Sequence, residues 1–343
     1  MEDLCRLPGT QHIMRILIIK TTSMGDVVHA LPVATDLARH FRQKGAELEL
    51  DWVVEDTYAD LIQWHPAVGR TLPVAVRRWR NAPFSAATRS EWKIWRDSVR
   101  GRRYGLVLDL QGLIKSALLS TQAIGPRAGF DRASVREPLA TWAYGKTYAV
   151  DPKLPPVERV RKLAGAAVGY QPVGNPVFGL RAPPDPGGEV GAFAGRFGEH
   201  AFAILLHGTA REEKRWPDRS WRALLELFEA ARRFSILPWG NPAEQARARA
   251  LAEGLRYAQV APAMTMAEVT WLMSRANLVA GVDTGLLHLA AAYGAPLVGI
   301  FTATDPRIYF PDWLVRAEAV GGVAKPPTPD QVRSVIDRIG RWH

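Results

Sequence analysis

The sequence is poor in cysteine and has no long apolar run. Cys5 is the one cysteine among 343 residues, so no disulfide can form within the chain. This fits a reducing compartment such as the cytoplasm. No stretch approaches the roughly 18 consecutive apolar residues of a membrane span. Residues 1–13 also lack the apolar core of a secretory signal. We therefore expect a cytoplasmic globular protein whose ordered pattern starts near Met14.

Several cofactor and metal motifs are absent as well. No Gly-x-Gly-x-x-Gly follows the first predicted strand, which argues against a nicotinamide-binding domain. The chain has no His-Glu-x-x-His, no cysteine pair, and no Asp-x-Asp to hold a divalent ion on a diphosphate. We expect no cofactor and no metal. A bound phosphate would then be neutralised by side chains and helix ends.

Hydrophobic patterning predicts an α/β protein with two domains. Apolar runs alternate with helical periodicity in both halves, which is typical of parallel sheets. Proline and glycine accumulate between Gln171 and Gly188, where periodicity stops. We predict doubly wound Rossmann-like domains over 14–170 and 189–343, joined by a linker over 171–188 and facing a central cleft. The last helix is a candidate to pack back on the N-terminal domain. The predicted strands are Ile16–Lys20, Leu50–Val54, Leu106–Leu110, Phe202–His207, Ser235–Pro238, Leu278–Val282 and Leu297–Phe301.

Positive charge is concentrated in the first half of the chain. The net charge is +10, and residues 1–170 hold 25 Lys and Arg against 17 Asp and Glu. Between Arg70 and Arg103, ten basic residues meet two acids. Trp92, Trp95 and Val99 recur there at helical spacing, which predicts an amphipathic helix. Such a helix suits an anionic membrane surface. A nucleic-acid partner and a solvated helix with core tryptophans are the alternatives.

A candidate anion site is Asp283-Thr284-Gly285-Leu286-Leu287-His288, which follows the predicted strand Leu278–Val282. Thr284 and Gly285 lie where a strand ends and a helix begins, and unpaired N–H groups there favour an anion. His288 lies about one turn further on and can face the same ligand. The segment therefore predicts a phosphate or diphosphate site. The alternative is an Asp283 N-cap with a buried histidine.

A second candidate follows the first strand, in Lys20-Thr21-Thr22-Ser23-Met24-Gly25-Asp26. Asp26 lies at a predicted helix start, where it could accept a proton from a substrate hydroxyl. A simple helix cap is the alternative, because aspartate is common at that position. Lys20 could hold Asp26 ionised or bind an anionic substrate.

Taken together, these motifs resemble those of the lipopolysaccharide heptosyltransferases of glycosyltransferase family 9. The resemblance runs from about Met14 to about Pro311. It is carried, in order, by Ser23–Pro32, His207–Ala210, Lys214–Pro217, Pro238–Gly240 and Asp283–His288. Three further segments narrow it to the heptosyltransferase I group, namely Arg77–Arg80, Asp109–Ser116 and Arg136–Ala140.

The resemblance implies a GT-B glycosyltransferase acting at the cytoplasmic face of the inner membrane. It would transfer L-glycero-D-manno-heptose from ADP-heptose, as a co-substrate, to the first Kdo of Kdo2-lipid A, with inversion. Its partners would be these two substrates and the anionic membrane surface, without nucleic acid. A heptosyltransferase II that adds the second heptose is the near alternative. The distant alternatives are a nicotinamide enzyme and a basic nucleic-acid or nucleotide-binding protein without transferase activity.

Site residues follow from the resemblance by position. Asp26 would be the general base, and Lys214 would stabilise the leaving ADP from the other domain, so that catalysis requires closure. Donor contacts are expected from Thr209, Ala210, Lys214, Glu244, Met264, Asp283, Thr284, Gly285 and His288. Acceptor contacts are expected from Lys20, Ser23, Arg77, Arg78, Arg80, Gln111 and Arg136. Ala210 stands where a second threonine can occur and Asn81 where a further cation can occur, so these two contacts differ from the family pattern.

Overall fold

The chain folds into two compact units. The computed structural model describes residues 13–309, 314 and 316–340, so Cys5 lies outside the described residues. The first unit comprises the chain up to Thr22 and Ala30–Gly179, and the second comprises Ser23–His29 and the chain from Leu180 onward. The division after Gly179 falls inside the segment predicted as a linker.

The first unit is built on a parallel sheet. As far as the structure describes it, this sheet has six strands in the order β3-β2-β1-β4-β5-β6, which is the order of a doubly wound fold. The topology reverses direction between β1 and β4, and ligands of such sheets bind at the carboxyl ends of the strands at that point. The strands are β1 (Ile13–Ile19), β2 (Glu47–Glu55), β3 (Arg70–Val74), β4 (Leu106–Asp109), β5 (Arg127–Phe130) and β6 (Lys146–Tyr148).

The central strands of this sheet are covered on both faces. Residues Ile16 to Ile19 of β1 have no exposed surface, as expected for apolar runs at the centre of a parallel sheet. In the register, Ile19 pairs with Val53 on one side and with Asp109 on the other. The residues that follow β1 and β4 therefore emerge at the same edge.

The first unit also contains helices whose apolar faces complete its core. Helix α4 begins after Ser85, whose Oγ accepts a hydrogen bond from the Thr88 N–H at 3.1 Å. The helices are α1 (Met24–Gln43), of which residues 24–29 group with the second unit, α2 (Ala59–Gln63), α3 (Val76–Asn81), α4 (Ala86–Arg100), α5 (Ile114–Ser120) and α6 (Pro156–Val168).

The tryptophans of the basic segment belong to this core. Trp95 and Val99 are buried in one apolar cluster with Trp79, and Trp92 packs against it. The ring centroids of Trp92 and Trp95 are 5.2 Å apart. The predicted helix is therefore confirmed, but a membrane-facing role for Trp95 is wrong, because Trp95 is buried, and Trp92 is half-buried against the same cluster. Solvent meets the opposite side of the helix, where Lys93 is exposed.

The second unit repeats the same topology. Within the described residues its sheet has six parallel strands in the order β12-β11-β10-β7-β8-β9, with the reversal between β7 and β10. Gly281 of β10 pairs with Leu206 of β7, and an added Cβ at Gly281 would lie 2.5 Å from the Leu206 Cβ. The strands are β7 (Phe202–Leu206), β8 (Phe234–Leu237), β9 (Ala258–Val260), β10 (Leu278–Val282), β11 (Leu297–Phe301) and β12 (Ala317–Gly321).

Helices also cover the second sheet. The sequence allowed the last helix, Pro329–Ile339, to pack on the N-terminal domain. In the structure it buries Val332, Val335 and Ile336 in the core of the second unit, because this apolar face meets β10 to β12 and the helix Asp218–Ala230. No helix in the described ranges is long and apolar enough to cross a membrane. The helices are α7 (Gly188–Gly195), α8 (Asp218–Ala230), α9 (Pro242–Ala252), α10 (Met266–Arg275), α11 (Gly285–Ala292), α12 (Pro306–Tyr309) and α13 (Pro329–Ile339).

Removing one partner of a buried ion pair should strongly destabilise the first unit. Arg161 Nε donates to Asp36 Oδ2 at 2.7 Å, and both side chains are almost fully buried. Asp36→Ala leaves the guanidinium without its counter-charge and is expected to lower the free energy of unfolding by about 3–5 kcal/mol, measured by urea denaturation. Glu226→Ala, which breaks the exposed Arg222–Glu226 pair, is the control and should change it far less. Equal losses would contradict the role given to burial.

Candidate functional site

The predicted donor residues lie at the carboxyl edge of the second sheet. Thr209 follows β7, and Glu244 lies in the first turn of α9, after β8. Met264 follows β9, and Asp283 follows β10. Ala210 is exposed beside Thr209. Because parallel strands end at the same edge, the fold brings together residues that are up to 74 positions apart in sequence.

Asp283 is the centre of a polar network at this edge. Its Oδ2 accepts hydrogen bonds from Lys214 Nζ at 2.6 Å and from Thr304 Oγ1 at 2.7 Å. Its Oδ1 lies 3.3 Å from His288 Nε2. The Asp283 side chain is 5% exposed, so these contacts form out of bulk water. One carboxylate therefore positions a lysine, a threonine and a histidine from three different segments.

The network keeps Asp283 ionised. Burial by itself would raise the pKa of the Asp283 carboxyl, but hydrogen bonds from His288, Lys214 and Thr304 outweigh burial and hold the pKa well below its usual range. The carboxylate is thus charged at neutral pH and fixes the Lys214 ammonium at the strand ends. A cation held there can stabilise charge on a phosphate.

The start of α11 decides between the two interpretations of the Asp283 segment. Thr284, and not Asp283, is the N-cap residue, and no side chain caps the helix. The Asp283 carboxylate is directed to Lys214 and Thr304 instead. The alternative of an Asp283 cap is therefore wrong, although its buried histidine is confirmed, because His288 is 7% exposed. An uncapped helix start beside a fixed lysine favours an anion.

The loops after β7 and β8 meet at Glu244. Its Oε2 accepts a hydrogen bond from the Gly240 N–H at 2.8 Å. A Cβ added to Gly208 would lie 2.7 Å from Glu244 Oε1, so a larger residue there would displace the Glu244 carboxylate. Arg247 Nη1 donates to the His207 carbonyl at 2.6 Å and braces the same loop. Burial, followed by the Arg247 charge, lowers the pKa of His207 to about 4, so this ring is neutral at pH 7.

Asp26 lies in the first turn of α1, in the part of that helix that belongs to the second unit. Its Oδ2 accepts hydrogen bonds from the Ser23 N–H at 3.0 Å and from Ser23 Oγ at 3.2 Å. This is the arrangement of a helix cap, so the capping interpretation describes part of what Asp26 does. Its side chain is half-buried, and its role as a base stays a prediction.

Two glycines let this helix start approach α11. A Cβ at Gly25 would lie 2.8 Å from His288 Cδ2, and a Cβ at Gly285 would lie 2.7 Å from the Met24 Cβ. His29 packs edge-on against His288, with ring centroids 4.6 Å apart. Gly25 and Gly285 are therefore required by a close approach inside the second unit. The segment that carries Asp26 and the segment that carries His288 are neighbours.

Gln111 acts as a brace at the carboxyl edge of the first sheet. Its Oε1 accepts hydrogen bonds from the Thr21 and Thr22 N–H groups at 2.7 and 3.2 Å, and its Nε2 donates to the Thr22 carbonyl at 2.5 Å. The structure thus shows Gln111 holding the loop after β1, and its acceptor contact stays a prediction. Lys20, also buried, donates from Nζ to the Leu110 carbonyl at 3.2 Å.

The arginines predicted for the acceptor differ in their surroundings. Arg78 donates to both Glu91 oxygens at 2.6 Å and to Asp56 at 3.3 Å, and the Glu91 hydrogen bond raises the pKa of its guanidinium. The side chains of Arg77, Arg80 and Arg136 are exposed, and none of them pairs with a carboxylate in the described part of the chain. The Arg78 guanidinium is therefore already paired with carboxylates of the protein, whereas the other three guanidinium groups can bind an anionic ligand.

Sequence reasoning missed two polar residues of these edges. Thr304 was not predicted, although it follows the buried strand β11 as a polar side chain. Lys115 lies in the motif Asp109–Ser116, but no function was predicted for it. In the structure its Nζ donates to Thr22 Oγ1 at 2.6 Å.

Lys115 lies near several arginines. We refer to Lys115, Arg77, Arg80 and Arg136 together as the cationic cluster. Burial lowers the pKa of Lys115, and the positive charges of Arg77 and Arg80 lower it further, against the opposing effects of Glu55 and Glu137.

Among the described residues, no three histidine, cysteine, aspartate or glutamate side chains group as metal ligands would.

Comparison with known proteins identifies the family. The model of glycosyltransferase family 9 (heptosyltransferase) matches residues 92–338. Lipopolysaccharide heptosyltransferase 1 of Escherichia coli strain K12 is 40% identical over 303 residues, which cover 86% of this chain and 90% of that protein. The protein of the same name from Pseudomonas aeruginosa strain PAO1 is 41% identical over 303 residues, covering 85% and 80%.

Solved structures agree with this family. The E. coli heptosyltransferase WaaC with ADP-2-deoxy-2-fluoro heptose has a TM-score of 0.81 at 35% identity, covering 95% of this chain and 99% of that one. The E. coli ADP-heptose lps heptosyltransferase II has a TM-score of 0.74 at 20% identity, covering 95% and 98%, and shares the fold. The sheet topology and these matches confirm the predicted GT-B α/β fold. The chain therefore belongs to glycosyltransferase family 9, the heptosyltransferase family, and is a glycosyltransferase.

Proposed function

We propose that this enzyme transfers L-glycero-D-manno-heptose from ADP-heptose to the first Kdo of Kdo2-lipid A, with inversion, at the cytoplasmic face of the inner membrane. The observation that carries the proposal is the Lys214–Asp283–His288 network beside the uncapped start of α11. Such a site suits a diphosphate leaving group. Support also comes from the relatives, which are heptosyltransferases 1, and from the solved relative, which holds an ADP-heptose analogue.

On the donor side, negative charge develops on ADP as the glycosidic bond breaks. The Lys214 ammonium and the first N–H groups of α11 would stabilise that charge, and Asp283 would keep Lys214 in place. Glu244 would accept hydrogen bonds from the adenosine ribose, and Met264 would contact the adenine. We propose that the reaction needs no metal and no cofactor, because these side chains provide the positive charge.

On the acceptor side, inversion requires one base in line with the attacking hydroxyl and no covalent intermediate. Asp26 fits this role, since it is the acid at the start of α1, next to the segment that carries His288. Ser23 would keep one carboxylate oxygen oriented. Thr209 and Thr284 would form hydrogen bonds with the heptose hydroxyls and so fix the sugar for attack.

The cationic cluster suits an acceptor with several negative charges. Guanidinium groups match phosphate and carboxylate oxygens in pairs. Arg77, Arg80 and Arg136 are the exposed candidates, and Lys115 lies close to the first two. The carboxylates of Kdo and the phosphates of lipid A are such anionic groups.

Acceptor choice separates the proposed function from that of a heptosyltransferase II. The donor site would be the same in both, but the heptosyltransferase 1 relatives are far more similar in sequence than the solved heptosyltransferase II. The purified enzyme should be given ADP-heptose with either Kdo2-lipid A or an acceptor that already bears one heptose, and the products weighed by mass spectrometry. Preference for the heptosylated acceptor would contradict the proposal.

Asp26→Asn should abolish transfer while the fold and donor affinity persist. The amide oxygen of asparagine can still accept the Ser23 hydrogen bonds, so the cap is kept and the base is lost. The expected fall in kcat is about a hundredfold to ten-thousandfold. Ser23→Ala is the matched control, because it removes a hydroxyl donor to Asp26 and leaves the carboxylate. A variant with near wild-type kcat would show that Asp26 is only a cap.

Lys214→Ala should weaken ADP-heptose binding and slow turnover, because the cation at the diphosphate is lost and Asp283 loses a partner. Calorimetric titration with ADP-heptose and initial rates measure the two effects. EDTA should leave the wild-type rate unchanged, since we propose that side chains neutralise the diphosphate. Strict dependence on an added divalent ion would refute that model.

Replacing the open arginines should affect the acceptor and spare the donor. Arg77→Ala with Arg80→Ala is expected to raise the apparent KM for Kdo2-lipid A and to leave ADP-heptose affinity unchanged. Arg78→Ala, which removes one positive charge from the same helix, is the control, and it should act mainly on stability because Arg78 is bound to Glu91 and Asp56. Loss of ADP-heptose affinity in the double variant would mean that the two substrates are assigned to the wrong residues.

A further inference from the structure

The first unit exposes large apolar side chains on two neighbouring elements. On α5, Ile114 is 37% and Leu118 is 48% exposed. In the short 3-10 helix Pro138–Ala143, Leu139 is 66% and Trp142 is 59% exposed. The first pair is four residues apart and the second three apart, so each pair shares one face of its helix. We call these four side chains the apolar face.

The two elements are joined directly. Helix α5 packs against the 3-10 helix. The Ile114 N–H donates to Glu137 Oε2 at 2.6 Å, and the Glu137 N–H donates to the Gly112 carbonyl at 3.1 Å. Ala117 and Ala140 lie on the inner sides and are fully buried. The small residues thus form the contact, and the large apolar residues point to solvent.

The apolar face borders the cationic cluster. Lys115 lies between Ile114 and Leu118 on α5 and is close enough to Arg77 and Arg80 to feel their charges. Arg136 is exposed two residues before the 3-10 helix begins at Pro138. Apolar side chains flanked by cations match the boundary between the acyl chains and the headgroups of an anionic bilayer. Neighbouring exposed apolar residues on a protein surface commonly mark an interaction site.

We propose that the apolar face inserts into the surface of an anionic lipid bilayer and so delivers the lipid-linked acceptor to the adjoining cations. This rests on the proposed function and names the surface by which it is carried out. It places membrane contact on α5 and the 3-10 helix, where four exposed apolar side chains lie on two elements that pack together. The tryptophans of α4 are not part of this surface, because Trp95 is buried in the core and Trp92 is half-buried against it.

Vesicle binding tests the surface independently of catalysis. Leu139→Ser with Trp142→Ser should bind vesicles of phosphatidylcholine and phosphatidylglycerol at least about tenfold more weakly than the wild type in sedimentation, because two large apolar side chains are removed. Val323→Ser is the matched control, since Val323 is 60% exposed in the second unit, and its binding should be unchanged. Melting temperatures of both variants should stay near the wild-type value, since only exposed side chains change.

Activity then separates this inference from the proposed function. The double variant should lose transfer to Kdo2-lipid A in vesicles and keep the wild-type rate on a water-soluble Kdo acceptor without acyl chains. Wild-type vesicle binding by the variant would overturn the inference. So would a change from dimer to monomer in light scattering with vesicle binding unaltered, because the face would then join two copies. If the wild type binds vesicles but transfers no heptose to any acceptor, the proposed function fails and the surface stands.

Discussion

The site of the second unit depends on one buried carboxylate. Asp283 is nearly inaccessible to solvent, and a charge in such a place is tolerated only when partners compensate it. Hydrogen bonds from Lys214, Thr304 and His288 provide that compensation. Because the same bonds orient the lysine and the histidine, the stability of the ionised carboxylate and the geometry of the anion site are one property. A change at any partner alters both.

The strand order explains why these residues meet. Both sheets reverse direction at their centre, and the loops that leave the two central strands emerge side by side at the carboxyl edge. In the second sheet these loops carry Thr209 and Asp283. In the first they carry Lys20 and Gln111, whose amide ties the two loops together. Sheet topology thus prepares a ligand edge, and individual side chains give that edge its chemistry.

The arginines and tryptophans of the basic segment do not all have the same role. Arg78 and Glu91 hold α3 and α4 together, and the Trp79 indole donates to the same Glu91 at 2.7 Å. Arg80 makes no such pair among the described residues and is open to a ligand. Among the described residues the exposed tryptophan is Trp142, which lies in the 3-10 helix Pro138–Ala143 and outside the basic segment. Net charge and tryptophan content therefore do not locate a surface by themselves.

The sequence alone determined the buried strands and the motifs at their ends. Leu278–Val282 and Leu297–Phe301 were predicted with the bounds that the structure has, because fully covered strands need continuous apolar runs. The strands β3, β5, β6, β9 and β12 were missed, since short segments interrupted by polar or small residues become strands only by pairing with a neighbour.

Tertiary structure alone decided which groups are bound and which are open. Two of the three partners of Asp283, Thr304 and Lys214, lie 21 and 69 positions away, and the Thr21 and Thr22 partners of Gln111 lie 90 and 89 positions away. Local periodicity carries no information over such separations. It also could not tell that Trp95 faces inward and Trp142 outward, because burial is set by which elements pack together.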